Sequence, residues 1–158
     1  MKALAPLAAA ALVIALAACA APRTANPAAP DGTAAINLGG AWTGSGTDAQ
    51  GPVTFKWTVT QTGGALSGQA IMDPADPADG SCGSCHKQKT GTVAGTIAGG
   101  ALTLTLDFPE GGADLTPLCG LKLTATSSDF AARRIAATYT GTTTCEGPIA
   151  GGTLLMMR

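Results

Sequence analysis

Hydrophobic and polar residues alternate with a period of two from about Leu38 to the C-terminus. Between Val53 and Thr60, for example, apolar residues occupy every second position, and Thr or Lys fills the positions between them. This pattern is typical of a β-strand with one buried face. The alternation predicts eight strands: one around Trp42, then 53–60, 66–72, 93–97, 102–108, 121–126, 134–140 and 153–157.

Glycine pairs separate several of these alternating stretches and predict tight hairpin turns. They occur at Gly63-Gly64, Gly99-Gly100 and Gly151-Gly152. The last two follow the same dipeptide, Ile-Ala, so the sequence predicts that similar turn chemistry is used twice. A turn near 129–132 is expected between the strands at 121–126 and 134–140. One long connection, from Asp73 to Thr90, is expected to lie outside the strands.

Eight consecutive antiparallel strands predict an all-β domain that closes as an up-and-down barrel, because closure removes exposed strand edges. Glycines at inward positions (Gly68, Gly95, Gly141) favour the bending that closure needs. An open two-sheet β-sandwich fits the same pattern and stays an alternative. The large apolar side chains are expected to fill the core or to line a modest cavity for a small apolar ligand; they are Trp42, Phe55, Trp57, Leu104, Leu106, Phe108 and Tyr139.

Charge and composition narrow the function. The 158 residues include 10 acidic and 9 basic side chains and one His, for a formal net charge of −1. A nucleic-acid binder needs a clustered excess of Lys and Arg, so we expect no nucleic-acid partner. His86 is the only histidine, which leaves no Ser-His-Asp arrangement, and no phosphate-binding glycine loop precedes a helix. We therefore expect a protein that is not an enzyme.

The N-terminus has the pattern of an export signal. Lys2 precedes an uncharged apolar run from Ala3 to Leu16, which is too short to span a bilayer. The run ends in Leu16-Ala17-Ala18-Cys19, which resembles the lipobox of bacterial lipoproteins. The resemblance implies a signal peptide at 1–18 and lipidation of Cys19; an ordinary secretory signal with an incidental Cys19 is the alternative. Ala20 follows the cysteine, and by resemblance to enterobacterial sorting this implies the outer membrane.

Three regions follow from this interpretation: the signal peptide at 1–18, a lipidated Cys19 with a flexible Ala/Pro-rich tether at 19–37, and a β-barrel domain at 38–158. Proline fixes φ and removes a hydrogen-bond donor, so the tether is expected to be an extended spacer. The expected location is the bacterial cell envelope, with the domain in the periplasm or on the surface. The expected partners are the membrane, through the lipid anchor, and an envelope component or small apolar ligand.

Gly40-Ala41-Trp42, in the first predicted strand, resembles the Gly-x-Trp motif of lipocalin-like (calycin) barrels. In that superfamily an Arg near the end of the last strand packs over the Trp, and Arg158 stands at the corresponding place. Gly- and Thr-rich strands behind a lipobox are also similar to small uncharacterised bacterial lipoproteins. The resemblance spans about 38–158 and implies a lipocalin-like binding or interaction module. The second and third lipocalin motifs are absent from the chain.

Without Cys19, four cysteines remain, an even number in an exported chain. Cys119 begins one predicted strand and Cys145 follows the next, at the open end of one hairpin. Their Cα atoms are therefore expected within the roughly 4.4–6.8 Å that a disulfide requires. The sequence predicts a structural Cys119–Cys145 bridge.

Cys82-Gly83-Ser84-Cys85-His86 has the spacing of a c-type haem attachment site, where two thiols bind the porphyrin and His ligates iron. Haem is the alternative cofactor, but the sequence around the motif lacks the helix and large apolar residues a haem needs. The stretch from Lys87 to Gly91 leaves room for little more than one turn after the motif, which is too short for such a helix. A Cys82–Cys85 disulfide without any cofactor is the favoured interpretation, although either cysteine pairing elsewhere stays open. A metal site that also uses His86 and Asp79, and a thioredoxin-like pair, are weaker alternatives.

Overall fold

The computed structural model describes residues 36–75, 88–110 and 119–158. The strands in these ranges are β1 (Gly40–Asp48), β2 (Gly51–Thr62), β3 (Ala65–Pro74), β4 (Lys89–Ala98), β5 (Ala101–Phe108), β6 (Leu121–Ala131), β7 (Arg134–Thr143) and β8 (Gly147–Met157). Each strand pairs antiparallel with the next, and β8 pairs with β1, so the sheet closes into an up-and-down barrel. The predicted fold class is confirmed, and closure excludes the two-sheet sandwich.

The two ends of the barrel differ because antiparallel strands place successive connections at alternate ends. The turns at 63–64, 99–100 and 132–133 lie with the start of β1 at one end, which we call the Trp42 end. We call the opposite end of the barrel the loop end. It carries the β1–β2 and β7–β8 turns, the ends of β3 and β5, and the starts of β4 and β6. The predicted signal peptide at 1–18, Cys19 and the motif from Cys82 to His86 lie outside the described residues.

The barrel interior is filled by side chains packed against inward-facing glycines. A Cβ added to Gly152 would collide with the Tyr139 ring, and one added to Gly95 would lie 2.6 Å from a methyl of its cross-strand partner Leu104. A large side chain therefore covers the space that a glycine leaves on the neighbouring strand. Such pairing lets a narrow barrel reach native packing density.

The predicted turn at Gly151-Gly152 is wrong, because both residues lie inside β8. The chain turns earlier, at 144–146. In the first Ile-Ala-Gly-Gly sequence both glycines have positive φ and form a hairpin, whereas in the second only Gly151 does, with φ +74°. The β7–β8 register shifts between Tyr139 and Gly141. The second Ile-Ala-Gly-Gly sequence therefore lies in β8, at the irregularity of the β7–β8 pairing opposite Tyr139 and Gly141.

The connection predicted from Asp73 to Thr90 is shorter than expected at both ends, because β3 continues to Pro74 and β4 begins at Lys89. Lys89, Gly91 and Val93 are all buried and alternate with exposed threonines. The period of two thus extends further toward the loop end than the apolar residues alone indicated. The inward position of Lys89 could not be recognised from the alternation of apolar residues, because charged residues normally occupy solvent-facing positions.

A β-bulge interrupts β6 between Thr126 and Asp129. Ser127 keeps the inward position that the alternation of Leu123 and Ala125 gives it, and its hydroxyl donates to the Ala136 carbonyl and accepts from the Asp129 amide. β6 then continues to Ala131, so the hairpin turn falls at 132–133, at the far side of the predicted range. The bulge supplies the extra residues that the alternation alone does not reveal.

Candidate functional site

Trp42 anchors one end of the barrel and is 1% exposed. Its indole Nε1 donates to the Leu38 carbonyl over 2.8 Å. The Gln61 side chain accepts from the Leu38 amide and donates to the carbonyl of Ile36. The residues that precede β1 are therefore tied across the Trp42 end, which closes this end of the core.

Arg158 completes the Trp42 end from the last strand. Its guanidinium carbon lies 5.8 Å from the centroid of the Trp42 ring, within cation–π distance. The same guanidinium donates to the Gly39 carbonyl. This geometry is the one that the resemblance to calycin barrels led us to expect of these two residues. It holds the first and last strands together at the point where the barrel closes.

The seven residues considered for a ligand cavity all lie in the packed core. Each is between 1% and 3% exposed; they are Trp42, Phe55, Trp57, Leu104, Leu106, Phe108 and Tyr139. The rings of Phe55 and Trp57 are tilted against each other with centroids 6.1 Å apart. The structure thus brings these residues into one cluster, where they pack against one another and against the inward glycines.

One core group lacks a polar partner. Trp57 is 2% exposed, and its indole Nε1 has no hydrogen-bond acceptor among the described residues. A buried N–H without an acceptor costs free energy, so this donor is a point at which a water or a ligand oxygen would be stabilised. The sequence predicted Trp57 only as an apolar residue. The absence of a hydrogen-bond acceptor for its Nε1 in the described part of the chain is visible only in the structure, because it depends on which groups surround the indole.

The loop end is held by a disulfide between Cys119 and Cys145, with Cα atoms 5.5 Å apart. This confirms the predicted bridge. Beside it, Gly120 and Thr144 exchange two hydrogen bonds: the Gly120 amide donates to the Thr144 hydroxyl, and the Thr144 amide donates to the Gly120 carbonyl. Residues 119–120 are therefore fastened to the β7–β8 turn by covalent and polar contacts together.

Lys89 points into the barrel at the loop end and is 3% exposed. Its Nζ donates to the Cys119 carbonyl over 2.6 Å, and no ion-pair partner for it exists among the described residues. Burial lowers the pKa of Lys89 below its ordinary value. Sequence reasoning missed this residue, although the alternation through Gly91 and Val93 places it on the inner face.

A second polar contact at the loop end joins β1 to β7. The Tyr139 hydroxyl donates to Asp48 Oδ2 over 2.7 Å. Burial, together with the neighbouring Asp48 carboxylate, raises the pKa of Tyr139 above its ordinary range. Tyr139 therefore stays protonated as a donor, and its ring covers Gly152 while its hydroxyl reaches the rim.

Asp73 links the two described stems of the segment 76–87. It accepts from Lys56 at 3.0 Å and from Gln88 at 2.7 Å. Partial burial by itself raises the pKa of Asp73, but the hydrogen bonds from Gln88 and Lys56 outweigh that and hold it below its ordinary value. The end of β3 and the residue before β4 are thus joined next to the segment that carries Cys82, Cys85 and His86.

Neither a metal centre nor a membrane-spanning helix is present in the described ranges. No three His, Cys, Asp or Glu side chains within them are grouped so that they could hold a metal ion. The same ranges contain no helix long and apolar enough to cross a bilayer.

These features define a small closed antiparallel barrel with a Trp–Arg stack at one end and a disulfide-tied rim at the other. A comparison of the chain with protein-family models, curated proteins and solved structures finds no match in any of the three. The assignment of function therefore depends on the residues of the chain itself.

Proposed function

We propose that the protein is a non-enzymatic, lipid-anchored module of the bacterial envelope that binds or docks a partner with its β-barrel domain. The observation that carries the proposal is the closed barrel with a core filled by the large apolar side chains. A filled, rigid barrel with tied ends presents its wall and rim as surfaces for recognition. The lipobox-like sequence before Cys19 supports export and lipid anchoring, and Ala20 after the cysteine supports the outer membrane as the location.

Anchoring through Cys19 is tested by metabolic labelling with a radioactive fatty acid. The wild-type chain should incorporate label and fractionate with membranes, because one Cys with several acyl chains binds a bilayer stably. The Cys19→Ser variant should lose both properties. Equal labelling of the two chains would contradict lipidation at Cys19, and membrane association without label would assign it to another part of the chain.

A second candidate function, binding of a small apolar ligand inside the barrel, is supported by the unpartnered Trp57 Nε1. A ligand with one oxygen acceptor and an apolar body would satisfy this donor while displacing core side chains. Titration with an apolar fluorescent probe should then reach saturation and change the emission of Trp57 in a Trp42→Phe background. Linear, non-saturable binding would exclude the interior site and leave the outer surfaces.

The c-type haem alternative depends on Cys82, Cys85 and His86 and would make the protein an electron carrier. Intact mass decides it when the chain is exported from a host with working haem maturation. A mass excess of one haem, lost in the Cys82→Ser/Cys85→Ser variant, would support it. No added mass, with the thiols reacting with alkylating reagent only after reduction, would support a Cys82–Cys85 disulfide.

A further inference from the structure

Six exposed threonines form one continuous row across six neighbouring strands. Strand pairing joins them in the order Thr96, Thr103, Thr126, Thr138, Thr153 and Thr47. A shorter second row, made by Thr105, Thr124 and Thr140, runs parallel to it two residues along β5, β6 and β7. Because neighbouring strands lie about 4.8 Å apart, hydroxyl groups repeat regularly across this wall of the barrel.

An open groove of about 600 Å³ crosses the middle of the first row. Thr103, Thr126 and Thr138 line it, together with Ser128 and Asp129 from the bulge of β6. Bulges locally bend a strand and occur preferentially next to functional sites. The groove therefore places three hydroxyls of the row beside a fourth hydroxyl and a carboxylate, all able to exchange hydrogen bonds with one bound molecule.

The wall around the groove carries little net charge. The charged residues on β5, β6 and β7 are joined in two ion pairs, Asp129 with Arg134 at 2.7 Å and Asp107 with Lys122 at 2.9 Å. Arg133, in the turn between β6 and β7, adds one exposed positive charge. Neutral, hydroxyl-bearing positions complement a partner that is itself uncharged and rich in hydroxyl groups. A polyanion such as nucleic acid would find no basic patch on this wall.

We propose that the groove over β5, β6 and β7 binds an uncharged glycan chain, with Thr103, Thr126 and Thr138 as the hydroxyl contacts. A barrel wall is convex, so a flat crystalline surface or a second convex barrel would touch only two or three strands. A single polymer chain can follow the groove across the strands. This inference deepens the proposed envelope role, since it names the partner class of the docking module.

The test measures retention of the full-length chain, purified in mild detergent, on three uncharged polysaccharides with accessible single chains: amorphous cellulose, amorphous chitin and cross-linked dextran. Carboxymethyl-cellulose serves as the charged counterpart. The informative variant is Thr103→Val/Thr126→Val/Thr138→Val, because Val keeps the shape and strand preference of Thr and replaces the hydroxyl with a methyl group. The matched control is Thr43→Val/Thr58→Val/Thr60→Val on β1 and β2, which are exposed threonines outside the groove.

We expect at least one of the uncharged polymers to retain the wild type and the control variant equally, and the groove variant to bind at least about tenfold more weakly. Conversion of the same three groove residues to Ser should preserve most of the binding. Failure of all three polymers to retain the wild type would overturn the inference. So would equal retention of the wild type and the groove variant, or a loss in the Ser variant as large as in the Val variant, which would assign the contact to methyl groups.

The result of the glycan-retention test does not depend on whether Cys19 is lipidated. Loss of glycan retention with normal fatty-acid labelling at Cys19 would reject the glycan groove and leave the lipid-anchored module standing. Normal retention without labelling would do the reverse.

Discussion

Lys89 shows how a single residue can oppose the general rule that charges face water. Its side chain is 3% exposed and has the Cys119 carbonyl as its hydrogen-bond partner. Burial of an ammonium in apolar surroundings disfavours its charged form, which is the cause of the lowered pKa. The residue therefore holds the Cys119 segment to β4 at a cost in desolvation.

This cost makes stability depend on pH. Between the lowered folded pKa of Lys89 and its unfolded value of about 10.4, the unfolded chain binds more protons, so the free energy of unfolding rises with pH. The rise should be absent in Lys89→Met, and present in the exposed control Lys56→Met. Urea unfolding of wild type and Lys89→Met from about pH 8 to about pH 10.5 measures it as the difference between the two profiles, since the ionisation of Tyr139 in the unfolded chain contributes to both. Parallel pH profiles for wild type and Lys89→Met would contradict the buried cation.

Arg158 acts at the same scale at the opposite end. Arg158→Ala removes the contact with the Trp42 ring and the hydrogen bond to the Gly39 carbonyl. The expected loss is about 1–2 kcal/mol in the free energy of unfolding. Denaturant titration followed by Trp fluorescence measures it, with Arg133→Ala at the exposed 132–133 turn as control. Equal stability of the two variants would show that the stack contributes nothing.

At the scale of strands, the barrel depends on inward glycines that neighbouring side chains cover. Gly152 and Gly151 are adjacent in β8, but they are required for different reasons. A Cβ on Gly152 would collide with the Tyr139 ring, whereas one on Gly151 meets open space and suffers only from its φ of +74°. This adjacent pair separates packing from backbone strain.

Gly152→Ala should therefore destabilise the barrel more than Gly151→Ala. The expected cost is about 1–3 kcal/mol for the collision and about 1–2 kcal/mol for the left-handed backbone alone. Thermal and urea unfolding of the two variants provide the comparison. Tyr139→Leu in the Gly152→Ala background should recover part of the loss, because it removes the ring that the new methyl meets. Additive losses in the double variant would contradict the covering role of Tyr139.

At the scale of the molecule, the Cys119–Cys145 bridge closes a loop with a sequence separation of 26. In the chain-entropy model such a crosslink stabilises the folded state by about 3.5 kcal/mol. Cys119→Ser/Cys145→Ser should lose stability of this order in urea while keeping its β-sheet circular dichroism. Full stability in this variant would show that the hydrogen bonds around Gly120 and Thr144 suffice to hold the loop end.

The sequence by itself determined the strand count, the antiparallel order and the disulfide. Those features follow from local alternation, from glycine turns and from the chain distance between Cys119 and Cys145. All three depend on the order of residues along the chain and not on contacts between distant segments. The contact between Arg158 and Trp42 was also expected, because the resemblance to calycin barrels implied it.

Only the tertiary structure decided closure over the sandwich, the position of Lys89 inside the barrel, the role of Gly151-Gly152 within β8 and the threonine row. Closure depends on whether β8 meets β1, and that contact joins residues more than a hundred positions apart. The two Ile-Ala-Gly-Gly sequences are locally identical, and their structures differ because the second lies within β8, opposite the register shift between Tyr139 and Gly141. The threonine row exists only in the strand register, which places side chains from six separate segments side by side.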